Sequence, residues 1–176
     1  MKAMRQSQAL SLLVLLLLLA SSSASILEDA CRSLGNPYYY NTCIKFFKAD
    51  KESPLANKRG LAVIATGITK KTAVVTLKRI AALKAVDKDP KIQAILVFCD
   101  HFYSIAVGLF DEAAKCIWSN KVGDAVTSLG STWNVPRSCE DEFHKAGVKS
   151  PLHAENSEFE MECIITMGVT ERLRVV

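Results

Sequence analysis

The chain has 176 residues, of which 49% are apolar, 7% aromatic and 23% charged. This length fits one ordinary domain, and the high apolar fraction excludes a chain that is disordered throughout. The 22 Lys and Arg residues against 18 Asp and Glu residues give a net charge of +4. The basic residues form no aromatic-flanked cluster of the kind that binds nucleic acid.

The first 24 residues have the features of a secretory signal peptide. Lys2 and Arg5 precede an apolar run over residues 9–20, and small residues up to Ala24 follow it. The run is too short to cross a bilayer as a helix, which takes about 20 residues, so we disfavour a membrane anchor. We expect no later apolar stretch to be long enough to span a bilayer. We therefore predict a signal peptide over 1–24 and a mature, secreted domain over 25–176, with no membrane association.

Two short helices come first in the predicted mature chain. Helical spacing covers residues 26–34 and 38–48, and the turn signal Gly35-Asn36-Pro37 separates them. Ser53-Pro54 interrupts the spacing after the second helix. These two helices form an N-terminal helical hairpin.

Longer helices follow the hairpin. The predicted segments are 57–86, 92–117, 124–133, 139–145 and a last helix after residue 150. Pro90 is placed to open the second segment, and Ser150 and Pro151 are the expected cap and first residue of the last. No Asn-Gly or Asp-Gly turn lies between alternating runs, so no strand hairpin is predicted. Long helices joined by short turns predict an all-α fold, a four-helix up-down-up-down bundle behind the hairpin.

The sequence shows no recognisable catalytic or metal-binding set. The histidines His101, His144 and His153 form no zinc motif, and the chain lacks a Cys-x-x-Cys pair, a nucleophile elbow and a glycine-rich phosphate loop. The acidic run at 140–142 lacks the spaced ligands of a calcium loop and is interpreted as a solvated helix start. We predict no catalytic residue, no bound metal and no cofactor.

Four of the six cysteines can meet in pairs. Cys31 and Cys43 flank one tight turn, and Cys99 and Cys139 lie on segments that run antiparallel. A secreted protein is in a compartment that permits disulfides. Six cysteines nevertheless allow 15 complete pairings, so spacing alone leaves the connectivity open.

The other two cysteines fall on apolar helical stripes. Cys116 and Cys163 are therefore interpreted as buried free thiols, and the alternative is that they pair with each other.

Four ordered motifs then connect the chain to a known family. They are Cys31 with Tyr40-Asn41-Thr42-Cys43, Cys99-x3-Tyr103-x2-Ala106-Val107, Ser138-Cys139-Glu140-Asp141-Glu142-Phe143, and Ser150-Pro151-Leu152. With these motifs in this order, residues 26–176 resemble the plant invertase/pectin methylesterase inhibitor family. The resemblance implies a four-helix bundle with an N-terminal hairpin and no enzymatic activity. It also implies the disulfides Cys31–Cys43 and Cys99–Cys139 and a free Cys116, with Cys163 as an addition.

The resemblance also implies a protein partner. Members of the family bind and occlude either pectin methylesterases or acid invertases, in the apoplast or the vacuole, and we expect a monomeric inhibitor. In similar pectin methylesterase inhibitors an exposed helix face covers the substrate cleft, and the corresponding helices here are 57–86 and 91–119.

The loop before the last helix is the candidate contact in the invertase inhibitors that the chain resembles. Their loop enters the active site with a Pro-Lys-Phe element, which this chain lacks. The candidate contact residues here are Lys149, Ser150, Pro151 and Leu152. The missing element favours a pectin methylesterase as target, whereas the Ser-Pro-Leu sequence is similar to that of family members described as invertase inhibitors and keeps that alternative open.

Two departures from the family pattern bear on structure. Glu142 stands where a small residue is usual, and Gly108, Gly130 and Gly168 lie within predicted helices, where each can cost up to about 1 kcal/mol relative to Ala. Gly67, Ala106 and Gly108 also leave room for a different class of function, a non-inhibitory bundle that is structural or carries an apolar molecule in its core.

Overall fold

The structure is a computed structural model that describes residues 26–174. The predicted signal peptide lies outside the described residues. Within them the chain is helical and contains no strand. The helices are α1 (26–32), α2 (Pro37–Phe47), α3 (Lys58–Val86), α4 (Pro90–Trp118), α5 (Val122–Gly130), α6 (Val135–Lys145) and α7 (His153–Glu171), with short 3-10 turns at Ser53–Leu55 and Arg172–Arg174.

Four helical segments, here called legs, enclose one core: α3, α4, α5 together with α6, and α7. The helix α3 packs along α4 on one side and α7 on the other, while α5 and α6 together form the leg between α4 and α7. Short connections join these legs, so successive legs run antiparallel. The predicted all-α, up-down-up-down bundle is confirmed, and α1 and α2 form the hairpin in front of it.

Side-chain caps fix where the long helices begin. The Asn57 side chain accepts a hydrogen bond from the Gly60 amide at 2.8 Å, and Asp89 accepts one from the Lys91 amide at 2.8 Å. Each bond satisfies an amide that has no partner within its helix. Pro90 occupies the first turn of α4, where its missing N–H costs nothing.

Aromatic rings fill the centre of the bundle. The ring centroids of Tyr103 and Phe110 on α4 lie 5.0 and 5.9 Å from that of Phe159 on α7. All three residues are fully buried. Their packing ties the two diagonal helices together and fixes the spacing of the legs.

Two disulfides brace the fold. Cys31 of α1 is bonded to Cys43 of α2, and Cys99 of α4 to Cys139 of α6, with Cα–Cα distances of 5.5 and 5.3 Å. These are the pairs that the family resemblance implies. The first closes the hairpin, and the second joins two legs of the bundle.

The remaining cysteines stay apart in the structure. Cys116 is a half-buried free thiol and Cys163 a buried one. The Cys163 sulfur lies 3.7 Å from the Thr132 hydroxyl, and burial raises the pKa of this thiol to about 12. A thiol with so high a pKa remains protonated and is a poor nucleophile.

The last helix begins later than the sequence pattern predicts. Ser150 is not its N-cap, because α7 starts at His153 and Leu152 holds the cap position without a side-chain hydrogen bond. The Ser150 hydroxyl instead donates to Glu140 at 2.6 Å and accepts from the Leu152 amide at 3.1 Å. A long-range partner therefore engages the residue that a local pattern assigns to the cap.

Both α3 and α4 are long and apolar enough, by length and composition alone, to cross a bilayer. The expectation that no such stretch follows the signal peptide is wrong on this criterion. The bundle explains their composition, because core helices pass the same test. The ion pairs Lys70–Asp111 (2.6 Å) and Lys84–Asp100 (3.1 Å) hold charged groups between the partly exposed sides of the two helices.

The hairpin packs against α7 at a glycine. A Cβ at Gly168 would overlap the end of the Leu34 side chain, whereas a Cβ at Gly108 would meet open space. The Arg172 guanidinium also donates to the Ser33 carbonyl at 2.8 Å. Gly168 thus permits close docking of the hairpin, and Gly108 has no such role.

We expect the two glycines to respond differently to alanine. Gly108→Ala is expected to raise the free energy of unfolding by up to about 1 kcal/mol, because alanine restricts the unfolded chain and favours helix. Gly168→Ala is expected to be at least about 1 kcal/mol less stable than Gly108→Ala, because Leu34 must move and part of the hairpin contact is lost. Urea denaturation followed by circular dichroism measures both, and equal gains from the two substitutions would contradict the close approach.

Candidate partner-binding surface

Glu140 on α6 holds the segment that precedes α7. Its Oε1 accepts hydrogen bonds from the Ser150 hydroxyl at 2.6 Å and from the Asn156 amide at 2.5 Å. Its Oε2 lies 2.9 Å from Nδ1 of His153. The buried Tyr103 hydroxyl of α4 donates to Asn156 Oδ1 at 2.7 Å and extends the network. One carboxylate therefore connects α6, the loop and α7, and through Asn156 it reaches α4.

Opposing effects act on the pKa of Glu140. Partial burial acts to raise it, but the hydrogen bonds from Ser150, Asn156 and His153 together lower the pKa below its ordinary value. A carboxyl with a lowered folded-state pKa stabilises the protein at neutral pH, and this contribution is lost as the pH falls through the folded pKa. The interpretation of the acidic run as a solvated helix start is therefore wrong for Glu140.

Its neighbour Glu142 behaves as a surface residue. The Glu142 carboxylate accepts from the Lys145 ammonium at 2.7 Å, one turn along α6. The helix continues to Lys145, so the larger side chain is accommodated without an interruption.

We expect Glu140→Gln to destabilise the protein by about 1–2 kcal/mol at pH 7, because an amide cannot accept all three hydrogen bonds. The amide of Leu152 is expected to exchange with solvent faster, since the loop is no longer held. Glu142→Gln is the matched control, and losing its exposed ion pair should change stability by less than about 0.5 kcal/mol. Hydrogen exchange at pH 7 measures both variants, and unchanged protection of the loop in Glu140→Gln would refute this role.

The four candidate contact residues of the loop have very different exposure. Lys149 is exposed, while Ser150 and Pro151 are half-buried. Leu152 is fully buried in the core and is removed from the candidate contact set. A cavity of about 310 Å³ lies beside the loop, with Lys149, Ser150 and Glu140 in its lining. The loop thus presents one exposed candidate side chain, that of Lys149, and is held to the bundle by the Ser150–Glu140 hydrogen bond and the buried Leu152.

The outer side of α4 offers a broader surface. Its exposed residues between positions 97 and 108 include no Asp, Glu, Lys or Arg: Val97, His101, Ser104, Ile105 and Gly108, here called the α4 strip. Val97 and Ile105 are 54% and 45% exposed. The strip covers about 16 Å of helix at 1.5 Å per residue.

Charged residues border the α4 strip rather than interrupt it. Asp100 and Asp111 engage lysines of α3 in the ion pairs described above. An uncharged centre with a charged border is the composition of the core and rim of a protein–protein interface. His101 belongs to this exposed surface.

Comparison with known proteins identifies the family of this chain. The sequence profile of the family described as plant invertase/pectin methylesterase inhibitor matches residues 25–167. The chain belongs to this family.

Relatives in this inhibitor family differ in their named targets. The "Cell wall / vacuolar inhibitor of fructosidase 2" of Arabidopsis thaliana is 27% identical, over 87% of this chain and 86% of its own length. The "Pectinesterase inhibitor" of Actinidia deliciosa is 22% identical, over 84% of this chain and 79% of its own length. The crystal structure of a pectin methylesterase inhibitor from Arabidopsis thaliana superposes with a TM-score of 0.62 at 20% identity, covering 85% of this chain and 97% of that one. This last likeness shows the fold.

One residue of the Glu140 hydrogen-bond network carries little sequence signal. Asn156 is buried on α7 and joins Tyr103 to Glu140, yet it stands in none of the quoted motifs. Tyr103 and Glu140 do stand in those motifs, but the motifs do not indicate that the two side chains share a partner. A buried Asn within a helix face is the single hint that sequence offers, because buried amides need partners.

Proposed function

We propose that this protein is a secreted, non-enzymatic inhibitor that blocks a plant pectin methylesterase by one-to-one occlusion of its active-site cleft. Membership of the family supports an inhibitor and leaves two targets open. The observation that favours a pectin methylesterase as the target is the α4 strip, an exposed surface without acidic residues, lysine or arginine on a core helix. A preorganised helix surface loses little conformational entropy on binding.

The geometry of the loop disfavours the alternative mode, insertion into an active site. Leu152 is buried and Ser150 is bonded to Glu140, so few loop side chains are free to enter a cleft. An acid invertase stays the second candidate target, because the Arabidopsis relative is named as an inhibitor of fructosidase. Lys149 is the loop residue that such a complex would use first.

Location and assembly belong to the same proposal. Residues 1–24 direct secretion, the mature domain over 25–176 acts as a monomer in the apoplast, and the vacuole is the alternative. A non-inhibitory bundle that carries an apolar molecule in its core is disfavoured, because Tyr103, Phe110 and Phe159 fill the bundle centre.

The test is a titration of the secreted, disulfide-bonded protein against a plant pectin methylesterase and a plant acid invertase, at pH about 5 and about 7. We expect a stoichiometric loss of pectin methylesterase activity and unchanged invertase activity. Inhibition of invertase alone would support the second candidate. A folded protein that inhibits neither enzyme would contradict the inhibitor function itself.

A further inference from the structure

A cleft of about 450 Å³ lies between α2, α3 and α7, away from the α4 strip. Tyr38, Lys45 and Phe46 of α2 line one side, Ile68 of α3 lines another, and Met161 and Glu162 of α7 complete it. Its volume falls in the range of small-molecule sites. No step of the proposed inhibition uses this cleft.

Glu162 is the unusual residue in its lining. The residue is 9% exposed, and its Oε2 has no hydrogen-bond partner among the described residues. Thr72 of α3 is a polar neighbour that acts to lower the pKa of this carboxyl. Burying a carboxyl group without full hydrogen bonding is unfavourable, so native structures seldom keep such a group without a purpose.

The other residues of the cleft define what could meet this carboxyl. Phe46, Ile68 and Met161 supply apolar walls, and the Tyr38 ring stands 64% exposed. The other charged residues of the lining are Lys45 of α2 and Glu158 of α7, both exposed. Their charges offset each other, which leaves Glu162 as the uncompensated group.

We propose that this cleft binds a small primary amine on an apolar stem, with the ammonium group against Glu162 and the stem between α2 and α7. An ammonium group carries three N–H donors and no acceptor, which suits a carboxyl group with an oxygen that lacks a donor. Glu162 Oε2 is enclosed in the structure, so the carboxyl group must turn toward the cleft for this pair to form. The apolar walls and the aromatic rings of α2 suit the stem and the cation. An anion would be repelled by the Glu162 carboxylate, and a neutral alcohol offers one donor without charge.

Binding of the amine is coupled to proton release. Burial foremost raises the pKa of Glu162 to about 7, with a smaller contribution from the Glu158 charge and an opposing one from Thr72. At acidic pH the neutral carboxyl must lose its proton to the solvent before the ammonium–carboxylate pair forms. The amine keeps its positive charge throughout, and no covalent bond changes.

The test is isothermal titration calorimetry of the secreted protein with 2-phenylethylamine, and with 2-phenylethanol as the neutral match. From a pKa near 7 we expect the amine to bind about 30-fold more tightly at pH 8 than at pH 5.5. The alcohol should bind more weakly than the amine at pH 8 and without this pH dependence. Equal affinity for the two probes, pH-independent amine binding, or no amine binding at millimolar concentration would each overturn the proposal.

Two variants separate the buried carboxyl from general surface charge. Glu162→Gln is expected to weaken amine binding at pH 8 at least 10-fold and to abolish its pH dependence. Glu158→Gln removes the same charge at the exposed edge and should change the affinity less than about 3-fold, since an exposed charge is screened by solvent. Unchanged binding by Glu162→Gln would overturn the assignment. The readout is amine binding, so it is independent of whether either enzyme is inhibited.

Discussion

Replacing both Cys99 and Cys139 by alanine is expected to lower the free energy of unfolding by about 4 kcal/mol. The disulfide joins α4 to α6 across a sequence separation of 40 residues. Its removal frees a long loop in the unfolded chain and so increases the entropy of that state. Since domains of this size are stable by about 5–15 kcal/mol, the variant loses a large share of its stability.

The hairpin disulfide provides the matched comparison. Replacing Cys31 and Cys43 by alanine opens a sequence separation of 12 residues, and the same relation gives a loss of about 3 kcal/mol. Urea denaturation of both double variants and the wild type, followed by far-ultraviolet circular dichroism, measures which disulfide contributes more to the free energy of unfolding. A midpoint unchanged by loss of the Cys99–Cys139 bridge, or a larger loss from the hairpin bridge, would contradict this role.

Replacing Glu162 by glutamine is expected to change how stability depends on pH. Burial raises the pKa of the folded carboxyl from 4.5 to about 7. The folded state therefore binds the proton more tightly than the unfolded state, and wild-type stability falls as the pH rises from about 4.5 through about 7. The stability of Glu162→Gln relative to wild type should thus rise by about 3 kcal/mol between pH 4 and pH 8.

Burying the new amide in Glu162→Gln has a cost that does not depend on pH. This cost cancels when the stability difference from wild type is compared between pH values. Glu158→Gln is again the control, because it removes an exposed carboxylate from the same helix and its difference from wild type should vary with pH much less than that of Glu162→Gln. Chemical denaturation at pH 4, 6 and 8 measures all three proteins. Parallel pH profiles for Glu162→Gln and wild type would show that the carboxyl is not buried in the folded state.

Local signals account for the parts of the fold that the sequence predicts well. The sequence predicts α3 over 57–86 and the helix is found at Lys58–Val86, because apolar spacing and the Asn57 cap act within a few residues. The sequence pattern predicts a start for α7 that is too early, because the Ser150 hydroxyl bonds to Glu140, ten residues away, and does not cap the helix. A pattern of neighbouring residues contains no information about that contact.

At the candidate surface, too, the features that depend on tertiary packing are the ones that the sequence does not predict. Lys149 is exposed as a contact residue must be, whereas Leu152 is buried, and only the packing of the loop against the bundle decides between these outcomes. Glycines look alike in sequence, yet a Cβ would meet the end of the Leu34 side chain at Gly168 and open space at Gly108. Residues whose roles depend on another leg of the bundle were therefore the ones that sequence could not assign.

The most direct measurement is the affinity of a plant pectin methylesterase for the wild type, Ile105→Arg and Lys149→Ala. Ile105 is 45% exposed at the α4 strip, so a charge there should leave the fold intact and oppose docking of an apolar surface. We predict that Ile105→Arg weakens binding at least 10-fold and that Lys149→Ala changes it less than about 3-fold. Strong loss of binding in Lys149→Ala with full binding by Ile105→Arg would contradict occlusion through α4.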